Sequence, residues 1–196
     1  MNQPNIPTIN ASRIRLRWIR DEDAQAMYRI YSNPDVMRYW STPPLPNLEA
    51  AQELVAQIQN DCRQKTIMKW GVARQDGDEL IGSVTLFNFN LDNERAEVGY
   101  ALDRACWGQG YMNESLRALL GYAFDVLKLR RIEADVDPRN IGSIRTVERL
   151  GFKQEGYLRE RWHVNGELQD ALFFGLLRRD WDGRNLEDSQ TNLSQS

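Results

Sequence analysis

Eight consecutive residues, Trp107, Gly108, Gln109, Gly110, Tyr111, Met112, Asn113 and Glu114, stand between a segment of alternating polarity ending near Leu102 and an amphipathic segment beginning after Asn113. Two glycines in such a strand-to-helix turn suit an anion. The first N–H groups of a helix have no partner within it, the macrodipole adds positive potential there, and glycine lets a ligand approach the main chain. A plain tight turn is the alternative reading of the same residues. A Walker-type phosphate loop is disfavoured, because Tyr111 and Met112 stand where Lys followed by Ser or Thr would be needed. A second chemically suggestive stretch is Asp137, Pro138, Arg139, Asn140, Ile141, Gly142, Ser143, ending at Arg149, Leu150, Gly151, Phe152. Asn140 is well suited to cap a helix here. Cys62 and Cys106 with the single histidine, His163, form no recognisable zinc pattern. Cys106 has no neighbouring His or acid to activate it as a nucleophile.

The elements that must position these stretches can be read in chain order. Ile14, Leu16 and Trp18 alternate with Arg13, Arg15 and Arg17, which predicts a half-buried strand. The acidic run at 21–23 opens a helix with Ala24, Met27, Tyr28 and Tyr31 on one face, ending before Asn33 and Pro34. The proline-rich stretch 41–46 cannot be helical, and Asn47 caps a helix with Ala51, Leu54, Val55, Ile58 and Cys62 on its apolar face. A hairpin turning at Asp76 and Gly77 follows, then a strand over 96–102. On that strand Ala96, Val98, Tyr100 and Leu102 share one face, and Glu97, Gly99 and Ala101 share the other. Gly99 leaves room for a ligand on the sheet or for close helix packing. Leu116, Leu119, Leu120, Ala123, Phe124 and Leu127 make the clearest helical stripe, followed by a strand with Ile132, Ala134 and Val136 inward. A short helix carries Ile144, Val147 and Leu150, and two strands flank an Asn165-Gly166 turn.

At 196 residues the chain reads as one α/β domain over 11–180, with tails at 1–10 and 181–196. A net charge of −3 argues against nucleic acid as a partner. The absence of a long apolar run or signal-peptide pattern points to a cytoplasmic chain with no membrane span.

Taken together, the glycine turn and the 137–152 stretch resemble the GCN5-related N-acetyltransferase (GNAT) family, in its ribosomal-protein N-terminal (RimJ/RimL-like) branch. The resemblance covers about residues 13–179 and includes the element order. It implies a mixed sheet of about seven strands flanked by about four helices. Two parallel strands of that sheet splay into a V that admits the pantetheine arm of acetyl-CoA. Trp107, Gly108, Gln109, Gly110, Tyr111 and Met112 would hold the diphosphate. Trp107 and Met112 depart from the general family pattern in a way familiar within this branch. Main-chain groups of Tyr100, Ala101 and Leu102 would meet pantetheine, Asn140 would touch the co-substrate, and Ser143 would reach the thioester sulfur. The tyrosine acid of many relatives is replaced by Val147.

By the same resemblance, transfer is direct, from acetyl-CoA to a primary amine with both bound together, and requires no metal. An α-amine with a pKa of ~7.7–8.0 needs a base. Glu97 is the first candidate and Glu160 the reserve. Met37, Tyr39, Trp40 and Trp162 would line the acceptor site. The acceptor is a protein N-terminus or a small amine such as an antibiotic, polyamine or aminoacyl compound, and a non-catalytic acyl-CoA sensor is the competing class. Strand edges in the C-terminal half offer a place for two chains to pair as a homodimer.

Overall fold

A computed structural model describes residues 6–164 and 166–181. Eight strands form one sheet in the order β1-β2-β3-β4-β5-β6-β8-β7. The strands are β1 (Ile9–Asn10), β2 (Ile14–Arg17), β3 (Met68–Arg74), β4 (Leu80–Asn90), β5 (Arg95–Leu102), β6 (Arg131–Val136), β7 (Lys153–Val164) and β8 (Glu167–Leu177). Every pairing is antiparallel except that of β5 with β6. Five helices, α1 (Ala24–Tyr31), α2 (Pro34–Met37), α3 (Leu48–Arg63), α4 (Tyr111–Asp125) and α5 (Ile141–Arg149), complete the domain.

The strand beyond the expected seven is β1. Ile9 pairs with Leu16 and Asn10 with Arg15, so the chain from residue 9 belongs to the sheet rather than to a tail. At the other end Trp181 packs against Phe124, ring centroids 6.0 Å apart, so the folded domain extends to it. Residues 1–5 and 182–196, where the rest of the expected tails fall, and Asn165 of the hairpin turn lie outside the described residues. The helix beyond the expected four is α2. Pro34 at its start has no N–H to leave unpaired, and the Asn33 side chain accepts from Asp35 N–H, so a single turn forms between the expected end of α1 and the proline-rich stretch 41–46, which is not helical.

Apolar side chains cover both faces of the sheet. On one face Phe124, Leu119, Leu120 and Leu116 of α4 and Val147 of α5 pack on Trp70, Val84, Leu86, Ala96 and Ile132. On the other, Met27 and Ile30 of α1 and Val55 and Ile58 of α3 pack on Leu80 and Ala101. The even-numbered residues of β5 therefore face α4, and Glu97, Gly99 and Ala101 face the α1 side, as the period-two pattern implies. Burial of a side chain the size of Phe124 contributes roughly 1.5–3 kcal/mol. Such packing holds α4 to the sheet while its first turn stays at the rim.

The parallel β5–β6 register runs only over Arg95↔Arg131, Ala96↔Ile132 and Glu97↔Glu133. Both strands continue, β5 to Leu102 and β6 to Val136, without pairing further. The result is a V-shaped gap. Asp103 N–H donates to Ile81 O directly across the β4–β5 ladder. By antiparallel alternation the main-chain groups of Ala101 and Gly99 then also point at β4, and those of Val98, Tyr100 and Leu102 point into the gap.

Candidate active site

The glycine turn closes one end of this gap. Asp103 caps a short 3-10 turn, its side chain accepting from Ala105 N–H, and an ion pair with Arg29 holds its carboxylate. Gly108 at φ +74° and Gly110 at φ +82° are both left-handed, a conformation costly for a side-chain-bearing residue. Gly110 is the N-cap of α4 and has no side chain to accept from the helix, whereas α3 and α5 are capped by Asn47 and Asn140. The first intrahelical bond is Glu114 N–H to Gly110 O, 3.1 Å. The N–H groups of Tyr111, Met112 and Asn113 thus have no acceptor among the described residues. Three outward N–H groups at the positive end of a four-turn helix fit a diphosphate.

The side chains of the turn do other work. Trp107 donates its indole N–H to Leu102 O at 2.9 Å, which occupies a main-chain acceptor of the gap. Gln109 donates to Ala105 O, and Met112 is buried in the core. The Tyr111 ring lies beside the guanidinium groups of Arg13, at 4.7 Å, and Arg74, at 5.5 Å.

Across the V, α5 faces β5. The Tyr100 hydroxyl meets Ser143 Oγ at 2.5 Å, so the Tyr100 side chain ties β5 to α5. Burial pushes the Tyr100 phenol up to about 12, against the smaller opposing effect of the Ser143 hydrogen bond. Asn140 Oδ1 accepts from Ser143 N–H at 3.1 Å, which makes Asn140 the helix cap and fixes Ser143 in the first turn. Val147 is fully buried in the core.

The carboxylates separate by partner. Glu97 is half-buried beside Glu133, and no described residue donates a hydrogen bond to it. Glu133 is held by Arg95 at 2.5 Å and Arg131 at 2.7 Å. Asp135 receives Trp162 Nε1 and Arg161 Nε, each at 3.3 Å. Glu97 is therefore the carboxylate beside the gap with no cation committed to it. Glu160 sits in a bulge of β7 at φ +52°, its N–H donating to Asp170. That strand is three sheet positions from β5, roughly 14 Å at ~4.8 Å per strand. Over Gly99 an added Cβ would meet Phe87 at 3.3 Å and no helix, so the glycine accommodates the close Phe87 ring of β4 and not a packed helix.

Met37, Tyr39 and Trp40 come together in one pocket of about 280 Å³, joined by Pro43, Pro44 and Arg139 and by Val164, Glu167 and Gln169 of the β7–β8 hairpin. Trp162 lies outside the lining, two residues before Val164, and its indole holds Asp135 instead. Arg139 is paired with Asp137 at 2.7 Å. Burial would raise the Asp137 pKa, but the Arg139 hydrogen bonds and charge outweigh it and hold the carboxyl below its usual value. Cys106 is buried, which removes it as a nucleophile.

The sequence pattern gives Asp135 no role, although the alternation that sets Ile132, Ala134 and Val136 inward makes it face the other way. Arg139 belongs to the suggestive 137–152 stretch, but nothing local places it in this pocket, because its neighbours there come from residues 37–44 and 164–169.

The acetyltransferase (GNAT) domain family matches residues 13–153. An uncharacterized N-acetyltransferase, p20, of Bacillus licheniformis is 33% identical over 90% of this chain and 99% of its own length. The spermidine N(1)-acetyltransferase of Escherichia coli strain K12 is 26% identical over 94% of this chain and 96% of its own. Mycobacterium smegmatis RimJ, solved in complex with CoA-disulfide, superposes with a TM-score of 0.84 over 99% of this chain and 98% of that one, at 20% identity. With the splayed strands, the uncapped glycine turn and this extent of similarity together, the chain belongs to the GCN5-related N-acetyltransferase family, as an N-acetyltransferase whose acetyl donor is acetyl-CoA.

Proposed function

We propose that this enzyme transfers acetyl from acetyl-CoA to the N-terminal α-amine of a protein or peptide, with a ribosomal protein as the natural class of acceptor. The observation that carries this reading is the charge of the acceptor pocket. Its wall holds two guanidinium groups, Arg38 and Arg139, against one carboxylate, Glu167, with the aromatic surfaces of Tyr39 and Trp40 between them. A polyamine is best served by several free carboxylates, and of those nearby Asp137 is committed to Arg139, Glu133 to Arg95 and Arg131, and Asp135 to Arg161, which leaves Glu97 and Glu167 without an ion pair among the described residues. A peptide N-terminus carries one charge and a run of amides, which suits such a pocket.

In this reading the free N–H groups of residues 108–112 and Asn140 hold the co-substrate, with the main-chain groups of Val98 and Tyr100 along its arm, since those of Ala101 point at β4 and Leu102 O is taken by Trp107. The thioester supplies an activated acetyl group. Glu97 accepts the ammonium proton directly or through a water, and the neutral amine attacks the acetyl carbonyl. Ser143 Oγ, oriented by Tyr100, donates a hydrogen bond toward the departing sulfur. The β7 edge, exposed along most of its twelve residues, supports pairing of two such chains.

The similarity to spermidine N(1)-acetyltransferase favours a second reading, in which the acceptor is a small polyamine. A CoA-release assay with peptides bearing Ser, Ala, Met or Asp N-termini, polyamines and aminoglycosides separates the two. Turnover with peptides and none with spermidine is the expected result. Turnover confined to spermidine would replace the peptide reading.

A further inference from the structure

We infer that Arg13 is a positioning residue for acetyl-CoA, a clasp that sets the glycine turn in its binding conformation and cancels a negative charge beside it. The inference rests on the reading of that turn as the diphosphate site. Arg13 directly precedes β2, and its own main chain is pinned by Gln75 N–H donating to Arg13 O at 2.9 Å. From that fixed point it reaches residues about a hundred positions away. Its Nε donates to Glu114 Oε2 at 2.8 Å, its main-chain N–H to Glu114 Oε1 at 2.6 Å, and its Nη1 to Gln109 O at 2.9 Å. Its guanidinium lies 4.7 Å from the Tyr111 ring centre, and a Cβ on Gly110 would stand 3.3 Å from its Nη2.

These contacts have two consequences for an anion. Binding the Gln109 carbonyl from the β2 side keeps that acceptor engaged with a donor. Glu114, largely buried in the first turns of α4, would oppose a diphosphate at the same helix end, because a carboxylate there competes for the positive potential that draws the ligand. Arg13 neutralises it. Both effects act through the turn, and the clasp needs a planar fork with several donors, which lysine lacks.

The test is calorimetric titration of the full chain with CoA, together with amide hydrogen exchange of the free protein. Arg13→Ala is expected to weaken CoA binding at least tenfold and to speed exchange over residues 107–114, while kcat at saturating acetyl-CoA and the acceptor KM change less than twofold. Arg13→Lys should recover little. In the Arg13→Ala/Glu114→Gln double variant the unpaired carboxylate is gone, and at least threefold of the lost affinity should return. Unchanged affinity and exchange in Arg13→Ala would overturn the clasp, and a double variant no tighter than the single one would overturn the charge-cancelling role. Failure of the wild-type protein to bind CoA would refute the diphosphate reading itself. The exchange rates would then still decide whether Arg13 orders the turn.

Discussion

The Tyr100 phenol and the Ser143 hydroxyl share a hydrogen bond across the open side of the V, one from β5 and one from α5. With its pKa raised to about 12 by burial, Tyr100 keeps its proton in the folded state at pH values where the unfolded chain, titrating near ~10, has lost it. The stability tied to that proton is complete below about pH 10 and is lost as pH rises through about 12, with a ceiling of about 3 kcal/mol. Tyr100→Phe should therefore flatten the alkaline fall in stability, measured by urea denaturation across that range; an unchanged fall would assign it to other groups. Ser143→Ala should lower kcat about tenfold or more with a smaller effect on CoA affinity. The reverse pattern would leave Ser143 as a binding residue. Glu97→Gln should cost roughly a hundredfold in kcat/KM at neutral pH. The deficit should narrow above about pH 8, where the acceptor amine deprotonates unaided. A deficit constant with pH would remove Glu97 as the base.

At the scale of elements, the glycine turn departs from regular geometry at two positions. Gly108 and Gly110 bend the chain through left-handed conformations between β5 and α4, and α4 alone of the three longest helices starts on a residue without a side chain. A residue such as valine at Gly110 would meet both the positive φ and the Arg13 guanidinium. Gly110→Val should raise the acetyl-CoA KM at least tenfold and leave far-UV circular dichroism essentially unchanged, since α4 is held by its buried stripe. Wild-type KM in that variant would detach the turn from the co-substrate. Helix α5 shows the opposite arrangement. Asn140 satisfies its first turn from within, and so fixes Ser143 toward Tyr100.

For the molecule as a whole, the sheet is the frame and the break between β5 and β6 is what opens it. Core residues distant from the break should affect stability without touching affinity. Phe124 is fully buried and also meets Trp181, so Phe124→Ala should lower unfolding free energy by about 3–5 kcal/mol. The CoA affinity of the folded fraction should stay within about twofold. A selective loss of CoA affinity instead would mean that the core sets the turn directly. The exposed β7 edge lies at the opposite end of the sheet from β1 and close to the pocket of Met37, Tyr39 and Trp40 through Val164.

What the sequence determined by itself were the features carried by local pattern. Period-two alternation marked β2, β5 and β6, the 3.6-residue stripe marked α4, and the glycines at 108 and 110 marked a tight strand-to-helix turn, because backbone sterics and helix ends act over a few neighbours. The added elements escaped for the same reason. Two residues at Ile9–Asn10 are too few to show alternation, and they are a strand only because β2 offers an open edge. Helix α2 is a single turn shorter than any periodicity. Tertiary structure alone decided which carboxylate is uncommitted, since Glu97, Glu133 and Asp135 look alike until Arg95, Arg131 and Arg161 are placed. It likewise decided that Tyr100 meets Ser143, that Trp162 serves Asp135 rather than the pocket lining, and that Arg13 reaches Gln109 and Glu114. Charge pairing and hydrogen bonding between residues tens of positions apart depend on sheet order and register, which no local spacing encodes.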